Sequence, residues 1–333
     1  RGGPLEADLT AAGVPATIIG KRWKFDPGSF SRLKQYVARL RPDLVHTWMF
    51  AANTYGYAAA RACGVQNVVI AQRCVDPWKS RWQLALDRAI SRRCSAVVVN
   101  SRGVYDFYVR HGAPAARVRL IPNGAALPGE SDIDRRQLLA ELELPENSRL
   151  IGLVGRLWPQ KRVPDAIWAV DLLKVIRDDA HLLIVGDGPQ REQLRRFRDL
   201  VHIRDRVHFL GARDDVPRLM PHFDVLWSTS GYEGQSNVVL EAMAAGVPVV
   251  ATDIPGTRDL VVAGETGFLV PVGHRAGFAK YTERLLNDAE LSARVAASSQ
   301  NRVLSEFSVE KMIERYVELY RGILCGGNRL RPG

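Results

Sequence analysis

Glu233-Gly234-Gln235-Ser236-Asn237-Val238-Val239-Leu240-Glu241 is a short polar loop that turns into an apolar helix, which closes at Ala244-Ala245-Gly246-Val247-Pro248-Val249-Val250. A helix starting near Gln235 to Asn237 presents unpaired backbone N–H groups and the positive end of its dipole to whatever lies in front, which suits an anionic diphosphate. Glu233 stands at the mouth of such a site. Glu241 is a carboxylate with acceptor capacity only, suited to gripping neighbouring hydroxyls such as those of a ribose. Its neighbours Leu240, Ala242, Met243 and Ala244 are apolar, and an unpaired acid on a buried helix is costly, so ligand contact is expected of it. The stretch reads as a cradle for a nucleotide sugar.

Working outward, apolar runs of strand length alternate with amphipathic stretches. Ala16 to Ile19, Leu44 to His46, Val68 to Ala71, Ala96 to Asn100 and Val118 to Ile121 form one set. Leu150 to Val154, Leu182 to Val185, Val207 to Leu210, Val225 to Ser228 and Val247 to Ala251 form a second. This is the rhythm of parallel sheets with crossover helices, and it predicts an α/β protein of two Rossmann-like domains. The turn-rich stretch from Ile121 to Glu130 marks the break. The expected organisation is residues 1–125, residues 126–305, and a last amphipathic helix at 306–325 with Met312, Ile313, Tyr316, Val317 and Tyr320 on one face.

The chain has 333 residues and a net charge of +10, long enough for two cores. Charge is segregated: residues 1–130 carry 19 Lys and Arg against 8 Asp and Glu, an excess of +11, and the remainder comes to −1. A one-sided basic field suits an anionic surface, such as a cytoplasmic leaflet, a lipid-linked diphosphate or nucleic acid. No helix-turn-helix, zinc-finger or aromatic-platform signature supports nucleic acid. The segment Asp76 to Arg93 is a basic helix with Trp78 and Trp82 a turn apart; such a helix can lie in a headgroup layer, but tryptophans at this spacing more often pack in a core, and that is expected here. Cys63, Cys74, Cys94 and Cys325 lack Cys-x-x-Cys spacing, so neither a disulfide framework nor a zinc site is indicated. With no run long enough to cross a bilayer and no secretory signal pattern, a cytoplasmic protein, peripheral on the inner face of the membrane, is expected.

The two glutamates resemble the Glu-x7-Glu motif of the retaining, GT-B-fold glycosyltransferases of family 4. Val154-Gly155-Arg156-Leu157 with Lys161 is similar to that family's donor-diphosphate element. Val185-Gly186-Asp187-Gly188-Pro189, Val207 to Gly211, Gly264 to Val270 and Ile121-Pro122-Asn123-Gly124 also fit, in order. The resemblance implies two domains facing across a cleft, a UDP- or GDP-type donor and a glycan or lipid-linked acceptor. Arg156 and Lys161 would neutralise the leaving diphosphate, the charge-bearing role such a site needs, and Glu233 would act at the reacting sugar. Gly155, Gly186, Gly234, Gln235, Ser236, Asn237 and Glu241 would bind the donor. His46, Arg73 and Asp76 would lie on the acceptor side, although His46 also reads as a satisfied strand-end histidine, since relatives commonly carry a second histidine where Trp48 stands.

Side-chain cations would make a metal ion unnecessary, and no metal site is expected. Asp132-Ile133-Asp134 has the letters of a cation-binding pair but precedes Arg135-Arg136-Gln137, where an aspartate is more often a helix cap. A member of the family opens with a strand, a glycine-rich loop and a helix; here Arg1-Gly2-Gly3-Pro4-Leu5 leads into a helix near Glu6 to Ala12, so the first domain is expected to be N-terminally incomplete. Two rivals are a non-catalytic nucleotide-sugar-binding or scaffold protein and a sugar-nucleotide epimerase of similar architecture. A dehydrogenase is disfavoured because no Gly-x-Gly-x-x-Gly follows a strand.

Overall fold

A computed structural model of the chain describes residues 6–20, 26–129 and 132–326; the opening Arg1 to Leu5 lies outside them. The first half runs α1 (Glu6–Ala11), α2 (Pro27–Leu40), β1 (Leu44–Trp48), α3 (Met49–Ala62), β2 (Asn67–Gln72), α4 (Arg81–Ser91), β3 (Ala96–Val99), α5 (Arg102–Arg110) and β4 (Val118–Leu120). The second continues α6 (Arg135–Glu141), β5 (Arg149–Val154), α7 (Val163–Leu173), β6 (Ala180–Val185), α8 (Arg191–Leu200), β7 (Val207–Gly211), α9 (Val216–Leu219) and β8 (Val225–Ser228). It ends with α10 (Asn237–Ala244), β9 (Val249–Thr252), α11 (Pro255–Arg258), β10 (Phe268–Val270), α12 (Arg275–Asn287), α13 (Ala289–Glu306) and α14 (Val309–Gly326).

These strands make two parallel sheets, a four-stranded one in the order β1-β2-β3-β4 and a six-stranded one in the order β10-β9-β8-β5-β6-β7. Parallel strands covered by helices on both faces read as unbroken apolar runs, which is why they stand out in the sequence. Val68, Val69, Ile70 and Ala71 of β2 are fully buried. One face of the first sheet packs with Val37 of α2, Ala60 of α3, Ile90 of α4 and Tyr108 of α5. The other face is covered by α14, whose Tyr316 is buried against Val69, Val98 and Ile121 with Met312, Leu319, Tyr320 and Ile323 alongside. Burying such apolar area contributes roughly 25 cal/mol per Å².

The second sheet decides where a ligand can sit. Its chain winds outward through β6 and β7 on one side of β5, then returns to β8 and winds outward through β9 and β10 on the other. The loops after β5 and β8 therefore diverge, and a crevice opens at their carboxyl ends, the place where doubly wound sheets bind ligands. Gly155 to Lys161 follow β5, and Thr229 to Ser236 follow β8.

Three expectations are corrected. Ala16 to Ile19 forms no strand and pairs with no other strand among the described residues, and Ile18 is exposed: the Arg32 guanidinium donates to the carbonyls of Ile19 and Gly20 at 2.9 and 2.7 Å, serving groups a sheet neighbour would have used. Ile313 of α14 is exposed, because Met312, Tyr316, Leu319 and Ile323 define the buried face one helical step away. Trp78 and Trp82 are 61% and 51% exposed, so they are not core residues. As a cap, Asp134 accepts from Arg136 N–H at 2.7 Å, the commonest way an aspartate satisfies a helix start.

Candidate active site

The amino end of α10 is open. No side chain caps it, and its first backward hydrogen bond runs from Leu240 N–H to Ser236 C=O at 3.1 Å. The N–H groups of Asn237, Val238 and Val239 thus leave the helix without an intrahelical partner. Gln235 and Ser236 are buried, yet Gln235 Nε2 and Ser236 Oγ have no hydrogen-bond partner among the described residues, nor does Asn100 Oδ1 beside them. Buried polar atoms normally find partners, so these three atoms offer unused hydrogen-bonding capacity beside the helix end.

Opposite this helix end, the loop after β5 carries Lys161. Its ammonium donates to Glu233 Oε1 at 2.6 Å, joining the first glutamate of the decisive stretch to the loop of another strand. Ser230 Oγ donates to the same oxygen at 2.8 Å, and Thr229 Oγ1 to the Lys161 carbonyl at 2.7 Å. Gly155 has φ +154, and a Cβ there would lie 3.2 Å from Lys161 Cε. Gly186 has φ +136, and a Cβ there would come within 2.0 Å of the Gly155 carbonyl oxygen, so glycine is required by both backbone angle and contact. Arg156 is exposed on the same loop, its guanidinium 5.9 Å from the Trp158 ring centre.

Glu241 lies on the exposed side of the same helix, so it is not the buried acid the apolar neighbours suggested; its carboxylate has no hydrogen-bond partner among the described residues, and partial desolvation by the surrounding walls raises its pKa. With Asn237 and Leu240 it lines a cavity of about 580 Å³ whose other side is formed by Arg73, Asn123 and Met312. That volume suits a small-molecule ligand.

The first domain presses on the site through Arg73 and Asn123. The Asn123 N–H donates to Gln235 Oε1 at 2.5 Å and its side-chain amide to Asn237 Oδ1 at 2.5 Å. Arg73 bonds to Asn123 Oδ1, reaches Tyr316 Oη at 3.3 Å and stacks 4.8 Å from the Trp48 ring centre; burial holds its pKa below the usual arginine value. A Cβ on Gly234 would approach the Arg73 carbonyl oxygen to 1.9 Å, so the two domains touch through a glycine that no larger residue can replace at this spacing. His46 sits behind Arg73. Its Nδ1 meets Tyr320 Oη at 2.7 Å, while Nε2 is buried without a partner among the described residues. Burial first, and Arg73 second, lower its pKa to about 4, so the ring is neutral at ordinary pH.

Asp76 belongs to a buried ionic cluster. Lys79 bonds to Asp76 at 3.0 Å, to Asp87 at 2.8 Å and to Tyr108 Oη at 2.7 Å. Cys74 reports how near this cluster is to the second domain: burial pushes its thiol up to about 12, and the negative fields of Asp76 and Glu233 add to that. Both carboxylates, from different domains, act on one point. Asn100 with Ser101 resembles the family's strand-end pair in the sequence, where it also reads as a helix cap, whereas Asn123 lies in the quoted linker motif without being singled out as a site residue. Ser230 carried no signal.

Two parallel-sheet domains meeting over an open helix end, with a Lys–Glu pair across the topological switch point, define the GT-B class of α/β glycosyltransferases. The chain belongs to the glycosyl transferases group 1 family, whose profile matches residues 134–302; that of glycosyltransferase family 4 matches residues 1–127. It is 34% identical over 192 residues to the N-acetyl-alpha-D-glucosaminyl L-malate synthase of Bacillus anthracis, covering 57% of this chain but only 50% of that protein. It is 25% identical over 335 residues to the UDP-Gal:alpha-D-GlcNAc-diphosphoundecaprenol alpha-1,3-galactosyltransferase of Escherichia coli, covering 95% of this chain and 84% of that one. Among solved structures, Anabaena HepE in complex with UDP-glucose matches with a TM-score of 0.88 at 24% identity, covering 97% of this chain and 90% of the other, which establishes likeness of fold. Among the described residues, no helix is long and apolar enough to cross a membrane.

Proposed function

We propose that this chain is a retaining, metal-independent glycosyltransferase. It moves a hexosyl or N-acetylhexosaminyl group from a UDP- or GDP-type donor to a glycan or lipid-linked acceptor in cell-envelope polysaccharide or lipopolysaccharide assembly. Residues 126–305 hold the donor, residues 1–125 face the acceptor, and the helical segment at 306–325 ties the two. The observation that carries this reading is the Lys161–Glu233 pair facing the uncapped amino end of α10.

In this reading the diphosphate accepts from the free N–H groups of α10, with Lys161 and Arg156 neutralising the charge that grows on the leaving oxygen. Two fixed cations supply there what a divalent ion would otherwise supply. Glu241 accepts from the ribose hydroxyls. Glu233, its charge balanced by Lys161, accepts from a hydroxyl of the transferred sugar and stabilises the positive charge developing at its anomeric carbon. The bond from that carbon to the phosphate oxygen breaks as the bond to the acceptor oxygen forms on the same face, and the acceptor's proton passes to the leaving phosphate. The neutral, buried His46 is ill placed to serve as base. Closure of the domains excludes water and limits hydrolysis. The Escherichia coli relative, by its name, uses a UDP-sugar and a lipid-diphosphate-linked sugar, which supports this choice of substrates; a peripheral position on the cytoplasmic membrane face would follow.

The test is a screen of nucleotide sugars against glycan and lipid-linked acceptors, read by mass spectrometry. Transfer predicts an acceptor heavier by one sugar and a free nucleoside diphosphate. A scaffold yields neither, and an epimerase releases products without acceptor; either result removes the proposal.

A further inference from the structure

We propose that Asp259 is a positioning residue for sugar transfer: by capping α5 of the first domain, it holds α11 against the loop that carries Glu233. Asp259 ends α11, and its Oδ2 accepts from the Arg102 N–H at 2.6 Å, a bond between residues 157 apart in sequence and on opposite sides of the domain boundary. Arg102 opens α5 behind the cap residue Ser101, whose Oγ accepts from the Val104 N–H at 3.2 Å. A helix start leaves amides unpaired and carries the positive end of its dipole, so Ser101 serves one amide and the carboxylate of the second domain another. Burial raises the pKa of Asp259, and the bond from the Arg102 N–H opposes that rise.

From Asp259 the contact runs inward to the first glutamate of the decisive stretch. On one side of α11, a Cβ on Gly103 of α5 would lie 2.4 Å from Pro255 Cβ. On the other, a Cβ on Gly256 would lie 2.2 Å from the Gly234 carbonyl oxygen and 3.3 Å from Glu233 Cβ. Glycine at both contacts leaves no slack between α5, α11 and the Glu233 loop, and close-packed contacts transmit displacement. A second route runs through side chains: Thr252 Oγ1, at the end of β9, donates to the Ser230 carbonyl at 2.5 Å, and Ser230 Oγ donates to Glu233. The segment between is stiff. Thr257 is fully buried, and its Oγ1 accepts from the Ile254 N–H at 3.2 Å. From behind, the Arg302 guanidinium of α13 donates to the carbonyls of Leu260 and Asp259 at 2.9 and 3.2 Å. Asp259 is thus fixed to its own domain through its backbone and to the first domain through its carboxylate. Asp259 acts through Glu233, so its effect on turnover rests on the role proposed above for that glutamate; its hold on the loop does not.

The bond can be cut from either end. Asp259→Ala removes the acceptor. Arg102→Pro removes the donor: proline is well tolerated at the first position of a helix, and Ser101 before it is already extended, at φ −152 and ψ 159. Arg102→Ala loses the same side chain but keeps the amide. Asp259→Ala and Arg102→Pro should each lower kcat about tenfold, with the donor KM moving less than about threefold, and the double variant should be no worse than either, because both remove one bond. Asp259→Asn, which keeps an acceptor, and Arg102→Ala should stay within about threefold of wild type. Without any sugar donor, hydrogen exchange of the amides from 229 to 236 should quicken about tenfold in Asp259→Ala and in Arg102→Pro. Asp134→Ala, which removes a helix cap elsewhere, should leave both readouts within about twofold. Exchange in that segment unchanged by Asp259→Ala and Arg102→Pro, additive losses in the double variant, or an equal fall in Asp134→Ala would overturn the proposal. A wild type that transfers no sugar removes the glycosyltransferase reading, and the exchange arm still decides whether Asp259 holds the loop; transfer by the wild type with undiminished kcat in both cut variants overturns the present proposal alone.

Discussion

Lys161 and Glu233 are 72 residues apart in sequence and 2.6 Å apart in space, and the account places the chemistry between them. Lys161→Ala should lower turnover by about two to three orders of magnitude, the usual consequence of removing one fixed charge-stabilising group. The pair is partly exposed, so the melting temperature should hardly move; initial rates alongside a thermal melt would separate the two effects. Gly186→Ala should act oppositely, because its Cβ would collide with the Gly155 carbonyl. A loss of about 3 kcal/mol or more in denaturant unfolding is expected; an unchanged midpoint would mean that the loops there shift freely. At this scale, the sequence exposed residues whose chemistry is unusual in its setting, such as an acid on an apolar helix or a glycine at a strand end. It hid Ser230 and Asn123 and left Asn100 ambiguous with a helix cap, because a serine or asparagine in a loop looks the same whether it serves a ligand or its own backbone.

Strands β2, β3, β6, β8 and β9 were legible because each is an apolar run buried on both faces. Where burial fails, the reading fails: Ala16 to Ile19 has strand-like composition but no strand neighbour among the described residues, and Arg32 takes the carbonyls of Ile19 and Gly20. The hydrophobic face of α14 was legible to within one helical step, since periodicity fixes an arc and only packing fixes its edge. Ionic clusters between elements were invisible. Lys79, with no exposed side-chain surface, sits between Asp76 and Asp87; Lys79→Met should cost about 3–5 kcal/mol by stranding two buried carboxylates, whereas an unfolding free energy within 1 kcal/mol of wild type would show that water reaches the cluster. Strands β6 and β7 bring His181 and His208 together at 3.2 Å. Burial first, then the neighbouring His181 and Arg198, depress the His208 pKa to about 4, and burial and Arg206 lower that of His181. Unfolded chains bind these protons near pH 6.5, so the stability contributed by the neutral pair is complete above that pH and is lost as pH falls toward 4. His208→Gln should flatten this acid loss by on the order of 2 kcal/mol, measured as urea midpoints across that range; an equally steep loss in the variant would exonerate the pair.

For the whole molecule, the order of strands in the second sheet does the positioning. Reversal between β5 and β8 brings two distant loops to one crevice, and Arg73 and Asn123 close it from the first domain. The repeating rhythm of the sequence announced two such sheets, and charge counting announced that one domain is basic. Neither could say that the domains touch through Gly234, because that depends on packing across a long sequence separation. Same-face displacement is the account's central claim, and the configuration of the product tests it most directly. From an α-configured nucleotide sugar, the proton coupling at the anomeric carbon of the purified product should be that of an α-linkage. A β-linked product would contradict the mechanism built on Glu233 and the leaving phosphate.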